Sequence, residues 1–163
     1  MKKLIICRGS PGSGKSTYAR RVKAKMLGMF GLSCTVASAD DYFVKNGIYT
    51  FDRTKLSKAH EYCRDQVHKA MIHNTPYVLV DNTNIRRNDF SEYIRMAQEF
   101  GYQTIEKVFG LDATVDELVK RGTHNVPREK VELMSRKLID SVRNVEGQTV
   151  KKAMGILTVE IKR

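Results

Sequence analysis

The sequence predicts an α/β fold: a parallel sheet of four or five strands flanked by helices, with a short helical lid. Three observations predict it. Short apolar, strand-like runs alternate with segments of helical period along the chain. A complete G-x-x-x-x-G-K-[ST] pattern, Gly9 to Ser16, stands where the first strand gives way to the first helix. Carboxylates appear where the second and third strands end. Strands alternating with helices imply parallel pairing through right-handed crossovers. At 163 residues and 41% hydrophobic, the chain reads as one domain over residues 1–163, with residues 140–163 as a C-terminal extension. It has no internal repeat, low-complexity tract or linker.

The first strand is Lys3-Leu4-Ile5-Ile6-Cys7-Arg8. The helix after the glycine-rich loop starts near Lys15 and sets Tyr18, Val22, Met26 and Met29 on one stripe, with Gly28 and Gly31 bracketing its end. A second strand, Cys34 to Ala39, runs into Asp40-Asp41. An aromatic, irregular stretch from Tyr42 to Asp52 follows, with a hairpin turn at Asn46-Gly47. The next helix carries Leu56, Ala59, Cys63, Val67, Ala70 and Met71 on one face and stops at Thr75-Pro76. The third strand, Tyr77 to Val80, ends at Asp81-Asn82-Thr83-Asn84. A helix with Phe90, Tyr93, Ile94, Ala97 and Phe100 ends at Gly101, and Thr104 to Phe109 is the fourth strand. Thr114 and Glu117 form a capping box for a helix to about Arg121, and Pro127 opens the last helix, with Val131, Met134 and Leu138 facing inward. Leu157, Val159 and Ile161 alternate with Thr158, Glu160 and Lys162 as in an edge strand, paired either within the domain or across a dimer.

The net charge of +11 points to a polyanionic partner, most simply nucleic acid, although solvated helix faces account for part of it. Cys7, Cys34 and Cys63 are odd in number and form no C-x-x-C pair, which argues against a disulfide framework or zinc site and for the cytoplasm. His60, His68, His73 and His124 lack metal-ligand spacing. No apolar run is long enough for a bilayer, so no membrane partner is expected. Oligomeric state is not written in the sequence.

The chemistry gathers at one rim. In a parallel sheet the C-terminal ends of the strands lie together, where ligands bind. Gly9-Ser10-Pro11-Gly12-Ser13-Gly14-Lys15-Ser16-Thr17 would wrap its backbone N–H groups around phosphate at a helix N-terminus. Lys15 would reach the β- and γ-phosphates of ATP, and Ser16 would offer its hydroxyl to Mg²⁺. Asp40, Asp41 and Asp81 share that rim. One carboxylate can take a proton from an attacking hydroxyl and another can hold Mg²⁺ or water, or each can simply cap a helix. Lys120-Arg121-Gly122-Thr123-His124-Asn125-Val126-Pro127-Arg128 is a basic break between two helices. It fits a mobile lid as well as it fits a helix C-terminus offsetting its dipole.

The loop, Asp40-Asp41-Tyr42, Asp81-Asn82-Thr83-Asn84, Lys107-Val108-Phe109 and Glu117-Leu118-Val119-Lys120-Arg121 through Pro127 resemble, in order, the kinase domain of phage 5′-polynucleotide kinase. The resemblance covers residue 2 to about residue 140 and implies a P-loop kinase fold. It further implies Lys15 and Ser16 on the ATP phosphates and Mg²⁺, Asp40 as general base for a 5′-hydroxyl, Arg121 as lid arginine, and Asp81 on the acceptor side. Where that pattern has an acceptor-phosphate arginine three residues beyond the base, this chain has Phe43, an aromatic that can stack on a base. With Asp41 and Thr83, Phe43 completes the acceptor-side candidates. Ser38 to Phe43 with Asn46-Gly47 and Tyr49 resembles the related P-loop domain of ubiquitin-ligase-binding proteins. The implied activity is transfer of the ATP γ-phosphate to a DNA or RNA 5′-hydroxyl. A kinase for a nucleotide, sugar or other small metabolite, and a nucleotide-switched nucleic-acid-binding module, are the competing readings.

Overall fold

The structure, a computed structural model, describes residues 1–143, 149–153 and 156–160. Its chain order is β1 (Lys3–Arg8), α1 (Lys15–Phe30), β2 (Cys34–Ala37), β3 (Val44–Lys45), β4 (Ile48–Tyr49), α2 (Leu56–Ile72), β5 (Tyr77–Asp81), α3 (Ser91–Glu99), β6 (Gln103–Val108), α4 (Val115–Arg121), α5 (Arg128–Arg143), β7 (Thr149–Ala153) and β8 (Ile156–Glu160). The main sheet runs β2-β5-β1-β6-β8-β7. The first four strands are parallel, and β8 and β7 are antiparallel additions.

The period of two along β1 builds a core on each face of the sheet. Leu4 and Ile6 join Val78 and Val80 under α2 and α3, against Cys63, Val67, Met71 and Ile94. Ile5 and Cys7 join Leu79 on the other face, against Ala19 of α1 and Phe109. A third cluster sets Val108 against Leu138 of α5. No helix among the described residues is long and apolar enough to cross a membrane.

Several expectations are corrected. The second strand stops at Ala37, because Ser38 caps a short 3-10 turn over Ala39–Phe43 through its Oγ, which accepts the Asp40 N–H. Met29 leaves the inward stripe of α1 and is 70% exposed, and Leu27 and Phe30 beside it in the last turn of that helix are exposed too. Leu56 is likewise exposed at the first turn of α2. The C-terminal alternating strand is not the edge. It is β8, bonded to β6 within the chain, with β7 outside it. Ile161 and Lys162, counted in that pattern, lie outside the described residues. Asn46 and Gly47 both take positive φ, 51° and 77°, as a tight hairpin turn between β3 and β4 requires.

Candidate active site

Gly9 to Gly14 link the end of β1 to the start of α1. Gly12 (φ 77°) and Gly14 (φ 93°) adopt left-handed backbone, which turns the loop back over the helix start. Gly14 is the N-cap of α1 and brings no side-chain cap, so the helix presents its first N–H groups to an anion. The loop is clamped from outside. The Gly9 N–H donates to the Thr83 carbonyl (2.9 Å), and the Ser10 and Ser135 hydroxyls pair at 2.8 Å. A Cβ on Gly12 would stand 1.9 Å from the Leu118 carbonyl, so α4 lies directly on the loop.

Lys15 is buried and folded into its own loop, its Nζ donating to the Ser10 carbonyl at 2.9 Å. Burial lowers its pKa, while Asp81, Cys7 and Asp40 pull it back up. Asp81 ends β5 beside Cys7 of β1. Its pKa is raised, first by burial, against the opposing effects of the Ser16 hydroxyl and Lys15. Its Oδ1 is buried without a hydrogen-bond partner among the described residues. A carboxylate oxygen left bare beside Ser16 is a donor set that suits a hard cation with oxygen ligands.

Asp40 lies on the 3-10 turn after β2, with its side chain 54% exposed. Tyr49 of the hairpin donates its hydroxyl to Asp40 Oδ1 (3.2 Å), and His124 Nε2 stands 3.8 Å from Oδ2. The Tyr49 and His124 rings lie 4.4 Å apart. The carboxylate is thereby held between the hairpin and the segment joining α4 to α5. Asp41, beside it, has its pKa raised by partial burial and by the charges of Asp40 and Asp81. The turn is fixed to β5 by the Ala39 N–H, which donates to Asn82 Oδ1 at 2.8 Å.

Two clefts flank these groups. One, of about 510 Å³, includes Ser13, Gly14, Thr17, Tyr18, Phe109 and Arg121 in its lining, so the loop and Arg121 share a cavity. Arg121 pairs there with Glu117 at 3.3 Å. The other, of about 400 Å³, includes His60, Arg64, Asn82, Thr83, Asn88 and Glu92. Thr83 therefore lines a cavity, as an acceptor-side residue must. Phe43 does not: it is 4% exposed, with its ring against Phe51 (5.1 Å) and Tyr42 (5.5 Å). The expected stacking face is spent inside the core.

Sequence reasoning missed Tyr49 and His124 as partners of Asp40, and His60 and Arg64 as cleft residues. It also missed a buried ion pair below the loop. Arg8, 2% exposed, donates to Glu106 Oε2 at 2.6 Å, to the Asn84 and Ile85 carbonyls and to Ser141 of α5. Its signal was there: Arg8 and Glu106, of opposite sign, sit on neighbouring strands of the predicted sheet.

The chain is 32% identical over 133 residues to human NEDD4-binding protein 2, covering 80% of this chain and 7% of that protein. It is 30% identical over 104 residues to mouse 2′,3′-cyclic-nucleotide 3′-phosphodiesterase, covering 64% of this chain and 23% of the relative. The chain thus spans a small part of either relative. Its fold matches a chain of the Pnkp1/Rnl/Hen1 RNA repair complex with TM-score 0.68 and 23% identity, over 89% of this chain and 46% of that one. With a family model for the AAA domain matching residues 4–138, across the phosphate loop, both acidic strand ends and the lid, the chain belongs to the AAA domain family as a P-loop kinase-like domain.

Proposed function

We propose that this domain transfers the γ-phosphate of ATP to the 5′-hydroxyl of a DNA or RNA strand. The observation that carries the reading is the placement of Asp40 on the same rim as the phosphate loop, near enough for its charge to act on Lys15. A base and a phosphate cradle on one rim, with a cavity on either side, are the parts that in-line phosphoryl transfer needs.

ATP would lie with its phosphates on Gly9–Thr17 and its nucleoside in the cleft lined by Thr17, Tyr18, Arg21 and Arg121. Asp81 and Ser16 would hold Mg²⁺, which would supply positive charge to offset that of the phosphates. Lys15 and Arg121 stabilise charge on the transferring group, and the uncapped start of α1 adds its N–H groups. Asp40 accepts the hydroxyl proton at Oδ2, because Oδ1 is engaged by Tyr49. The second cleft, lined by one arginine against Asp89 and Glu92, suits a neutral sugar or base better than a phosphate. It would seat the hydroxyl-bearing nucleoside next to Asp40. Three free thiols, Cys7 and Cys63 buried and Cys34 half-buried, fit a reducing cytoplasm.

The same cleft favours a second reading, in which the acceptor is a small polar metabolite. Transfer from γ-labelled ATP to a 5′-hydroxyl oligonucleotide, with the 5′-phosphorylated strand as control, separates the two. Label on the first strand alone is the expected result; label only on small acceptors would favour the second reading. Asp40→Asn should lower kcat at least a hundredfold while ATP affinity stays within about twofold. Unchanged turnover would remove Asp40 from the mechanism.

A further inference from the structure

The segment around Asp40 carries more exposed apolar surface than its packing requires. Phe51 is 53% exposed, Ile48 67%, Leu56 40% and Tyr62 37%, all on the hairpin, the stretch after it and the first turns of α2. The aromatic members are connected. Phe51 packs on Phe43 (5.1 Å), Phe43 on Tyr42 (5.5 Å), and Tyr42 on Tyr62 (6.0 Å), so one line of rings reaches solvent at both ends. From Phe43 the same cluster reaches Tyr49 (6.2 Å), whose hydroxyl is bonded to Asp40. Phe43 is the buried support of this surface.

From residue 44 to residue 62 the exposed charge is mainly positive, while Asp40 and Asp41 stand beside Tyr42 within the ring line. Lys45, Arg53 and Lys58 are exposed, and Lys55 is tied to Asp52 at 2.8 Å; Glu61 is the remaining carboxylate from residue 44 to residue 62. Flat exposed rings among unpaired cations fit unpaired bases on a phosphate backbone, because every base has a face to stack and every linkage a charge to neutralise. A duplex keeps its base faces covered and cannot use such a surface sideways.

We propose that Phe51 and Tyr62, with Lys45, Arg53 and Lys58 around them, form a stacking platform for the single-stranded nucleotides that follow the hydroxyl-bearing end. The proposal rests on the reading above for placing that end at Asp40. It adds the substrate class, single strands or single-stranded overhangs, and a seat for the nucleotides beyond the first.

The test is equilibrium binding of a dye-labelled oligothymidylate, followed by anisotropy without ATP, alongside transfer to the same strand. Phe51→Ala should weaken binding about tenfold, within the usual effect of removing one base–aromatic stack. Phe51→Trp should restore it, and an abasic strand of equal length should bind wild type and Phe51→Ala alike. Equal binding of oligothymidylate by wild type and Phe51→Ala would overturn the platform, and so would equal losses on the abasic strand. A dimer that dissociates in Phe51→Ala without change in strand binding would overturn it too, and would give the surface to a second copy of the chain. Phe51-dependent binding with no phosphate transfer would keep the platform and sink the kinase reading. Transfer with binding indifferent to Phe51 would do the reverse.

Discussion

Asp81 illustrates how a single buried carboxylate can cost a fold stability. Its carboxylate is desolvated, its pKa is raised, and one oxygen has no hydrogen-bond partner among the described residues. An acid whose folded pKa is raised loses stability as pH rises from its unfolded value through the raised folded one; the cost is full above the folded pKa and vanishes below the unfolded value. Asp81→Asn should therefore be more stable than wild type at neutral pH without ligand, by about 1 kcal/mol, with the gap closing in acid. Thermal melts across pH would show it; a less stable Asp81→Asn at neutral pH would contradict the cause assigned here. Adding Mg²⁺-ATP should reverse the order, because only wild type gains from the cation. At this scale the sequence told half of the story. The rim positions of Asp40 and Asp81 were legible because one carboxylate follows and the other ends an apolar strand of the parallel sheet. Tyr49 and His124 were not, because their meeting at Asp40 depends on where two loops land. Phe43 misled, because position relative to Asp40 says nothing of which way a ring points.

Elements show the same division. The loop-to-α1 junction, the Thr114–Glu117 capping box and the Asn46-Gly47 turn were each predicted by local chemistry and each formed. The seating of α4 on the loop is a tertiary fact with no local signature. It makes Gly12 a contact residue as well as a hinge. Gly12→Ala would drive a methyl into the Leu118 carbonyl at a left-handed position, costing about 1–3 kcal/mol and pushing α4 off the loop. The expected outcome is faster tryptic cleavage after Arg121 with β1 and β5 still protected. Unaltered cleavage would mean that α4 does not rest on the loop in solution.

Across the whole molecule, four parallel strands with helices on both faces followed from the alternation of strand and helix. The antiparallel addition of β8 and β7 did not, because one alternating stretch cannot name its partner. The charge of +11 belongs to this scale as well. Strand binding should weaken steeply with salt, with log K falling against log salt at a slope of about −2 if three cations on the platform each neutralise one phosphate. A flat salt response would show that the excess charge is merely solvated.

The strand order carries a consequence for biosynthesis. β1, made first, lies between β5 and β6, with Lys3 paired to both Tyr77 and Gln103. A nascent chain therefore holds the phosphate loop before either neighbour of its supporting strand exists, and it gains β5 first and β6 second. At about 5–20 residues per second, β1 waits on the order of 5–20 s for β6 to leave the ribosome. Until β5 emerges Leu4 to Cys7 is an unpaired apolar strand, and until β6 emerges it keeps one open edge, the kind of segment that chaperones shield. Nucleotide binding should accordingly appear late in a series of stalled chains, after the residues of β6 have emerged.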